Sequence, residues 1–142
     1  MSSVDDGGRA LLREWGLPLE VIEAYQAKGV SKLFPWQIRL MQETNCLKNR
    51  HLIYSAPTGS GKTMVAELLM FRMCMLHEKK AIFMLPYVSV VSEKEKYFTS
   101  LVRKFNRSYP NDKVRVKGVS GDMSVHEKSV YKADIIVCTI EK

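Results

Sequence analysis

One segment of the chain has the residue types and the spacing of a phosphate-binding loop. We call it the phosphate loop, and it consists of Ala56, Pro57, Thr58, Gly59, Ser60, Gly61, Lys62 and Thr63. The glycines allow backbone N–H groups to close around a phosphate chain, and a helix that begins here adds a favourable dipole. Lys62 would reach the β- and γ-phosphates of a nucleotide, and the Thr63 hydroxyl would hold Mg²⁺. The general pattern begins with glycine where this chain has Ala56. The simpler alternative is a glycine-rich turn between a strand and a helix.

The residues on either side of the phosphate loop predict the elements that position it. The apolar run Leu52–Ala56 predicts a first strand, and the residues after Thr63 predict a helix that runs to about His77. Three further strands are predicted. The continuous apolar run 81–85 is expected to be buried on both faces, the strand at 114–119 has one polar face, and 135–138 is a fourth buried strand. The remaining helices are predicted at about 9–15, 18–29, 35–49, 89–107 and 125–132.

Apolar strands that alternate with helices over short links predict an α/β fold with a mainly parallel sheet flanked by helices. Ligands of such sheets bind beyond the carboxyl ends of the strands. We therefore expect the segments at these ends to lie along one edge of the domain, namely 56–63, 86–89, 120–122 and 139–142.

Two residues upstream of the phosphate loop are candidates for binding a base. Gln37 falls in the first turn of a helix that Pro35 can begin, and its amide offers a donor and an acceptor that complement adenine. Phe34 could pack on the same base. On local sequence alone, a helix-capping glutamine and a core phenylalanine are the favoured alternative.

Composition and charge indicate the size of the domain and the kind of partner that the chain could bind. The chain has 142 residues, enough for one domain with a core, and no apolar run approaches the length of a membrane span. Its formal net charge of +7 is uneven, at −1 through residue 45 and +8 from residue 46. A nucleic-acid backbone is a partner that fits this excess of positive charge. A basic surface that only faces solvent would explain the charge equally well.

The cysteines and histidines argue against a metal site. Three separated cysteines with apolar neighbours predict buried, reduced thiols in an intracellular protein, and the three histidines have no ligand spacing with them. The first residues lack the basic and apolar regions of a signal peptide. We expect 1–8 to form a flexible leader and 9–142 to form the domain.

The ordered set of motifs resembles the first RecA-like domain of superfamily 2 helicases, and within them the Ski-type DNA helicases of the polymerase theta and helicase Q group. The resemblance covers about residues 12–142. Phe34 and Gln37 fall at the adenine-reading Q motif, and the phosphate loop matches motif I. The segments that resemble motifs Ia, Ib and Ic are 85–94, 121–122 and 139–142.

The resemblance implies a P-loop NTPase fold and an ATP-dependent helicase that uses Mg²⁺. Gln37 would recognise adenine, which reverses the local preference for a cap. Residues expected near the backbone of a tracked single strand are Pro86, Ser89, Gly121, Thr139 and Glu141. The family moves 3′ to 5′ along single-stranded DNA, with RNA left open, and we expect a role in DNA repair. The location implied is nuclear in a eukaryote and cytoplasmic otherwise.

The family's DExH box is not present in these residues, because none of the apolar strands ends in a carboxylate pair. That box supplies an Asp for Mg²⁺ and a Glu that orients the attacking water. We therefore expect an incomplete domain that binds nucleotide weakly without turnover and belongs with a second RecA-like domain. The alternatives are a non-catalytic nucleic-acid-binding module and a small P-loop kinase.

Overall fold

The structure is a computed structural model that describes residues 6–48, 51–120 and 127–141. Its helices are α1 (Asp6–Glu14), α2 (Leu19–Ala27), α3 (Pro35–Glu43), α4 (Lys62–His77), α5 (Val91–Ser108) and α6 (Glu127–Tyr131). A 3₁₀ turn (Val88–Val90) precedes α5. The strands are β1 (Ala81–Leu85), β2 (Val116–Val119) and β3 (Ile135–Thr139).

The three strands form a parallel sheet in the order β1-β3-β2. Ala81 pairs with Ile135 on one side of β3, and Val116 pairs with Ile135 on the other. Helix α5 joins β1 to β2, and α6 lies between β2 and β3 in the chain, so a helix stands in each connection between consecutive parallel strands. Helix α4 leads into β1. The predicted α/β class and the parallel sheet flanked by helices are confirmed.

The core lies where α2, α4, α5 and β1 meet. The Phe98 ring of α5 packs edge-on against Phe83 of β1 at 5.0 Å and against Phe71 of α4 at 5.7 Å between ring centroids. Phe71 in turn meets the Tyr25 ring of α2 at 6.3 Å. Such edge-to-face contacts add to the apolar area that these rings bury. Helix α4 is therefore fixed on both sides, so its N-terminus, where the phosphate loop ends, has a defined position.

The predicted first strand at 52–56 is wrong. Leu52 and Tyr54 are partly buried against the core, whereas Ile53 is 99% exposed, so the side chains alternate as they would in a strand. However, no ladder joins this segment to a neighbour among the described residues, and alternation without a hydrogen-bonded partner does not make a strand. The described sheet consequently has three strands rather than four.

The prediction that β1 is buried on both faces is also wrong. Phe83 packs into the core, but Ile82 and Met84 on the opposite face are 65% and 64% exposed. None of the described elements covers that face. By contrast, β3 is buried as predicted, because it lies between β1 and β2.

The boundaries of most other elements lie close to the predictions, but α3 ends at Glu43, whereas the helix was predicted over about 35–49. Helix α1 begins at Asp6 rather than at Arg9, and β2 covers 116–119 of the predicted 114–119. The cysteines Cys46, Cys74 and Cys138 are buried and unpaired, as predicted. None of the helices described here combines the length and apolar character that crossing a lipid bilayer requires.

Candidate functional site

The phosphate loop contains two glycines in left-handed backbone conformations. Gly59 has φ +77° and Gly61 has φ +80°, and Gly61 is the residue that caps α4. A Cβ atom on Gly61 would lie 2.7 Å from Nε2 of Gln37 and 3.2 Å from the Phe34 ring. Position 61 therefore excludes any side chain on two grounds, because its φ disfavours L residues and the start of α3 occupies the space.

Three consecutive carbonyl groups of the phosphate loop accept hydrogen bonds from side chains outside it. The bonds run from Trp36 Nε1 to Ser60 O (2.9 Å), from Gln37 Nε2 to Gly61 O (2.9 Å) and from Tyr54 Oη to Lys62 O (2.6 Å). In a trans peptide the N–H of the next residue points away from the carbonyl. Fixing these carbonyls thus turns the N–H groups of residues 61–63 away from the three donors, as a loop that cradles an anion requires.

The Lys62 ammonium is folded over the loop. Its Nζ donates to the carbonyl oxygen of Pro57 at 2.8 Å, and the Ser60 hydroxyl donates to the same oxygen at 2.6 Å. An anionic phosphate is a stronger acceptor for an ammonium group than a backbone carbonyl is. The cation is therefore held where a bound phosphate could recruit it. Ala56 is partly buried, whereas Pro57, Thr58 and Thr63 are exposed.

Gln37 forms the helix cap that the local sequence predicted. It is 2% exposed, its Oε1 accepts from the Phe34 backbone N–H at 2.8 Å, and its Nε2 donates to Gly61 O. The amide retains one N–H and one oxygen lone pair beyond these bonds. Phe34 is 50% exposed, and its ring lies beside Gly61, so an apolar ring face is available next to the loop.

Sequence reasoning missed Trp36 and Tyr54. Both have a polar group on an aromatic ring, and such rings normally find a hydrogen-bond partner when they pack against a protein. Their rings lie 6.2 Å apart between centroids, beside the phosphate loop. Burial raises the pKa of Tyr54, and the nearby Glu67 carboxylate raises it further, although a hydrogen bond from the Ala66 backbone opposes them. The available sequence signal was the presence of two aromatic residues with hydrogen-bond donors upstream of the Gly-Lys-Thr segment.

The residues predicted to follow the strands come together in part. A surface pocket of about 470 Å³ lies beyond the carboxyl ends of β1 and β3, and its lining includes Pro86, Thr139 and Glu141. Thr139 is buried and Glu141 is exposed, while Ser89 is exposed in the neighbouring 3₁₀ turn. Gly121 lies outside the described residues. We call this region the carboxyl edge.

The site contains the groups that a nucleotide and its metal require, apart from a carboxylate cluster. Gly59 and Gly61, the start of α4 and Lys62 suit a phosphate chain, and the exposed Thr63 hydroxyl is the kind of oxygen that Mg²⁺ accepts alongside phosphates. Among residues 6–48, 51–120 and 127–141, no group of His, Cys, Asp and Glu side chains could hold a metal ion by itself.

Comparison with known proteins agrees with the architecture. The family model described as DEAD/DEAH box helicase matches residues 34–142. DNA polymerase theta of Mus musculus is 41% identical over 140 residues, which is 99% of this chain and 5% of that protein. The ATP-dependent DNA helicase Hel308 of Methanocella arvoryzae is 30% identical over 131 residues, covering 92% of this chain and 17% of that protein.

A further relative and a solved structure extend the comparison. The human helicase POLQ-like protein is 41% identical over 81 residues, covering 56% of this chain and 7% of that protein. The crystal structure of the DUF1998 helicase MrfA superposes with a TM-score of 0.67 at 16% identity, over 87% of this chain and 19% of that one, which supports the fold alone. The chain thus spans a small part of each relative. It belongs to the DEAD/DEAH box helicase family, and its fold is that of a partial RecA-like helicase domain.

Proposed function

We propose that the chain is the nucleotide-binding segment of an ATP-dependent DNA helicase that moves 3′ to 5′ along single-stranded DNA and acts in DNA repair. The observation that carries the proposal is the set of three side-chain hydrogen bonds to the carbonyls of residues 60–62. A glycine-rich turn with no ligand has no need for three donors that orient its peptide groups. The family membership supports the helicase part of this proposal.

Each residue of the phosphate loop has a separate role in this proposal. The N–H groups of residues 61–63 would bind phosphate oxygens, Lys62 would leave Pro57 O for the β- and γ-phosphates, and Thr63 would hold Mg²⁺. The bound nucleotide and metal supply the phosphoryl-transfer chemistry. Phe34 would stack on adenine, and Gln37 would read its edge with the N–H and the lone pair that its cap leaves unused.

The carboxyl edge would contact the nucleic-acid strand. Pro86, Thr139 and Glu141 line one pocket there, with Ser89 in the adjoining turn, and Gly121 is proposed for the same surface. Contacts to phosphate and sugar read little sequence, so binding should be sequence-tolerant and should weaken with salt. DNA is favoured over RNA by the two relatives whose names identify them as a DNA polymerase and a DNA helicase.

We further propose that these 142 residues bind nucleotide weakly and do not turn it over. No carboxylate pair follows a strand in the described residues, so these residues offer no such pair to activate water. A second RecA-like domain would complete the enzyme, which we place in the nucleus of a eukaryotic cell or in the cytoplasm of a prokaryotic one.

Binding of a fluorescent ATP analogue, followed by anisotropy, tests this function. Lys62→Ala should lower the affinity about tenfold or more, because a hydrogen bond to a charged group contributes about 1.5–3 kcal/mol. Lys32→Ala, an exposed lysine outside the loop, is the matched control and should change nothing. Equal affinity of Lys62→Ala and the original chain would overturn the proposed nucleotide site.

The same preparation separates the alternatives. Steady ATP hydrolysis that Lys62→Ala abolishes would contradict the absence of turnover. Oligonucleotide binding that ignores both ATP and Lys62→Ala would favour a non-catalytic nucleic-acid-binding module. Phosphate transfer to a nucleoside would favour a small kinase.

A further inference from the structure

A basic groove lies beside the C-terminal half of α5, away from the phosphate loop. Its volume is about 510 Å³, and it is open to solvent. The helix forms one wall, and the segment 110–113 that leads toward β2 forms the other. The residues that line it are Thr99, Arg103, Asn106, Arg107, Pro110 and Lys113.

The segment opposite α5 is fastened to the helix. The Asn106 side chain donates from Nδ2 to the carbonyl oxygen of Val114 at 2.9 Å and accepts from the Val114 N–H at 2.8 Å. At the other end of the segment, the Tyr109 ring packs on Phe105 at 4.9 Å between centroids. Lys113 precedes Val114 directly and is therefore held across the groove from the helix. A wall anchored at both ends loses little conformational freedom when a ligand binds.

Three cations of the groove have no acidic partner among the residues that the structure describes. Among the described residues, Arg103, Arg107 and Lys113 take part in no ion pair, whereas Lys104 on the same helix is paired with Glu23. Arg103 and Arg107 are four residues apart, so they lie one above the other on one face of α5. Asp112 lines a neighbouring pocket that Lys113 also lines, but it does not line this groove. The groove itself is thus lined by cations and by no acidic residue among those described.

The groove and the carboxyl edge are at opposite ends of the fold. Helix α5 begins just after β1 ends, and the segment that follows the helix leads to the start of β2. Because the strands are parallel, the far end of α5 lies at the amino edge of the sheet. An α-helix of 18 residues is roughly 27 Å long. The groove is therefore separate from both sites described above.

We propose that this groove binds the phosphate backbone of duplex nucleic acid. Guanidinium groups bind phosphate oxygens with paired hydrogen bonds, and two of them one helical turn apart suit a repeating anion. No aromatic side chain is among the described residues that line the groove, so they offer no stacking surface of the kind on which single strands rely. It also lacks a buried apolar or aromatic pocket, which an acidic peptide would need as an anchor.

The test compares binding of a short blunt DNA duplex with binding of an oligothymidylate to the 142-residue chain over a range of salt concentrations. Arg103→Glu combined with Arg107→Glu should lower duplex affinity about tenfold or more and reduce the salt slope by about 2, one unit for each phosphate contact. The matched control, Arg13→Glu with Lys32→Glu, reverses two exposed cations elsewhere, and its salt slope should equal that of the original chain. Lys113→Glu, outside the helix, should reduce the slope by about 1.

The outcomes separate this site from the proposed nucleotide site and the carboxyl edge. Nucleotide binding and oligothymidylate binding should be nearly unchanged in the groove variants. Equal loss of duplex binding in the groove variants and in the control pair would overturn the proposal, as would an unchanged duplex slope. Displacement of the duplex by a poly-glutamate peptide at a lower concentration than by competing DNA would identify an acidic protein as the ligand and would also overturn it.

Discussion

A buried ionic network joins α2, α4 and α5, and its removal gives the sharpest stability prediction. The Glu67 carboxylate of α4 is buried, accepting from the Tyr25 hydroxyl at 2.8 Å and from the Lys94 ammonium at 2.6 Å. The ammonium also lies 4.6 Å from the centroid of the Tyr97 ring and 5.2 Å from that of Phe98. Each charge thus depends on the other in a largely apolar setting.

Lys94→Met should lower the free energy of unfolding by about 3 kcal/mol. Methionine preserves much of the side-chain volume but leaves Glu67 with Tyr25 as its remaining partner, and breaking a buried pair in this way costs about 3–5 kcal/mol. We take the low end because 23% of the Lys94 side chain is exposed, so water can reach the carboxylate. Glu67→Gln removes the charge and keeps the shape, and should cost about 1–2 kcal/mol.

Urea denaturation followed by circular dichroism measures both changes and their coupling. The variant that combines Lys94→Met with Glu67→Gln should lose about 1–2 kcal/mol less than the two single losses added together, because the unpaired carboxylate is then absent. Lys96→Met, an exposed residue of the same helix, is the control and should change stability by less than about 0.5 kcal/mol. Strict additivity, or a Lys94→Met loss no greater than the control's, would refute the reasoning.

Three further predictions concern the phosphate loop and the pH dependence of stability. Gly61→Ala should destabilise the chain more than Gly59→Ala, since both glycines have positive φ but the new Cβ contacts Gln37 only at position 61. Thermal melts that rank the two variants the other way would contradict this. Trp36→Phe, which loses the hydrogen-bond donor to the loop, should weaken binding of the ATP analogue about fivefold, because a neutral hydrogen bond contributes roughly 1 kcal/mol. Unchanged affinity would contradict the argument that this bond orients the loop. Burial raises the pKa of the Cys74 thiol from 9.0 to about 11 and that of Tyr97 from 10.0 to about 12. The folded state therefore holds more protons than the unfolded state from about pH 9 to 12, so the unfolding free energy should fall as pH rises through this range. Below about pH 9 these two groups should make no contribution to the pH dependence of the unfolding free energy.

The sequence allowed the order of the elements and the position of the phosphate loop to be predicted, because both depend on local patterns. Glycine spacing and the apolar residues of α4 lie within one continuous segment, and the structure confirms that helix. The failure at 52–56 has a different cause. Leu52, Ile53 and Tyr54 alternate correctly, yet strand formation depends on a hydrogen-bonding neighbour that the segment itself does not specify.

Burial of the faces of β1 could not be deduced for the same reason. An apolar run shows that both faces tolerate burial, but Ile82 and Met84 are exposed because no described element covers them. For Gln37, the local pattern correctly predicted a cap, while its partner Gly61 is 24 residues away and was not foreseen. The Glu67 network was missed although a signal existed, since a carboxylate between Met64 and Phe71 at helical spacing falls on the buried face of α4.

The position of that network has a consequence for how the two proposed sites communicate. Glu67 lies one helical turn after Thr63 on α4, the helix that begins at the phosphate loop, and Lys94 lies in the first turn of α5, the helix that follows the carboxyl edge. A displacement of one helix N-terminus relative to the other therefore strains this buried ion pair. Because separation is costly, small movements at the phosphate loop should pass to the turn that contains Ser89 as a rigid shift of both helices.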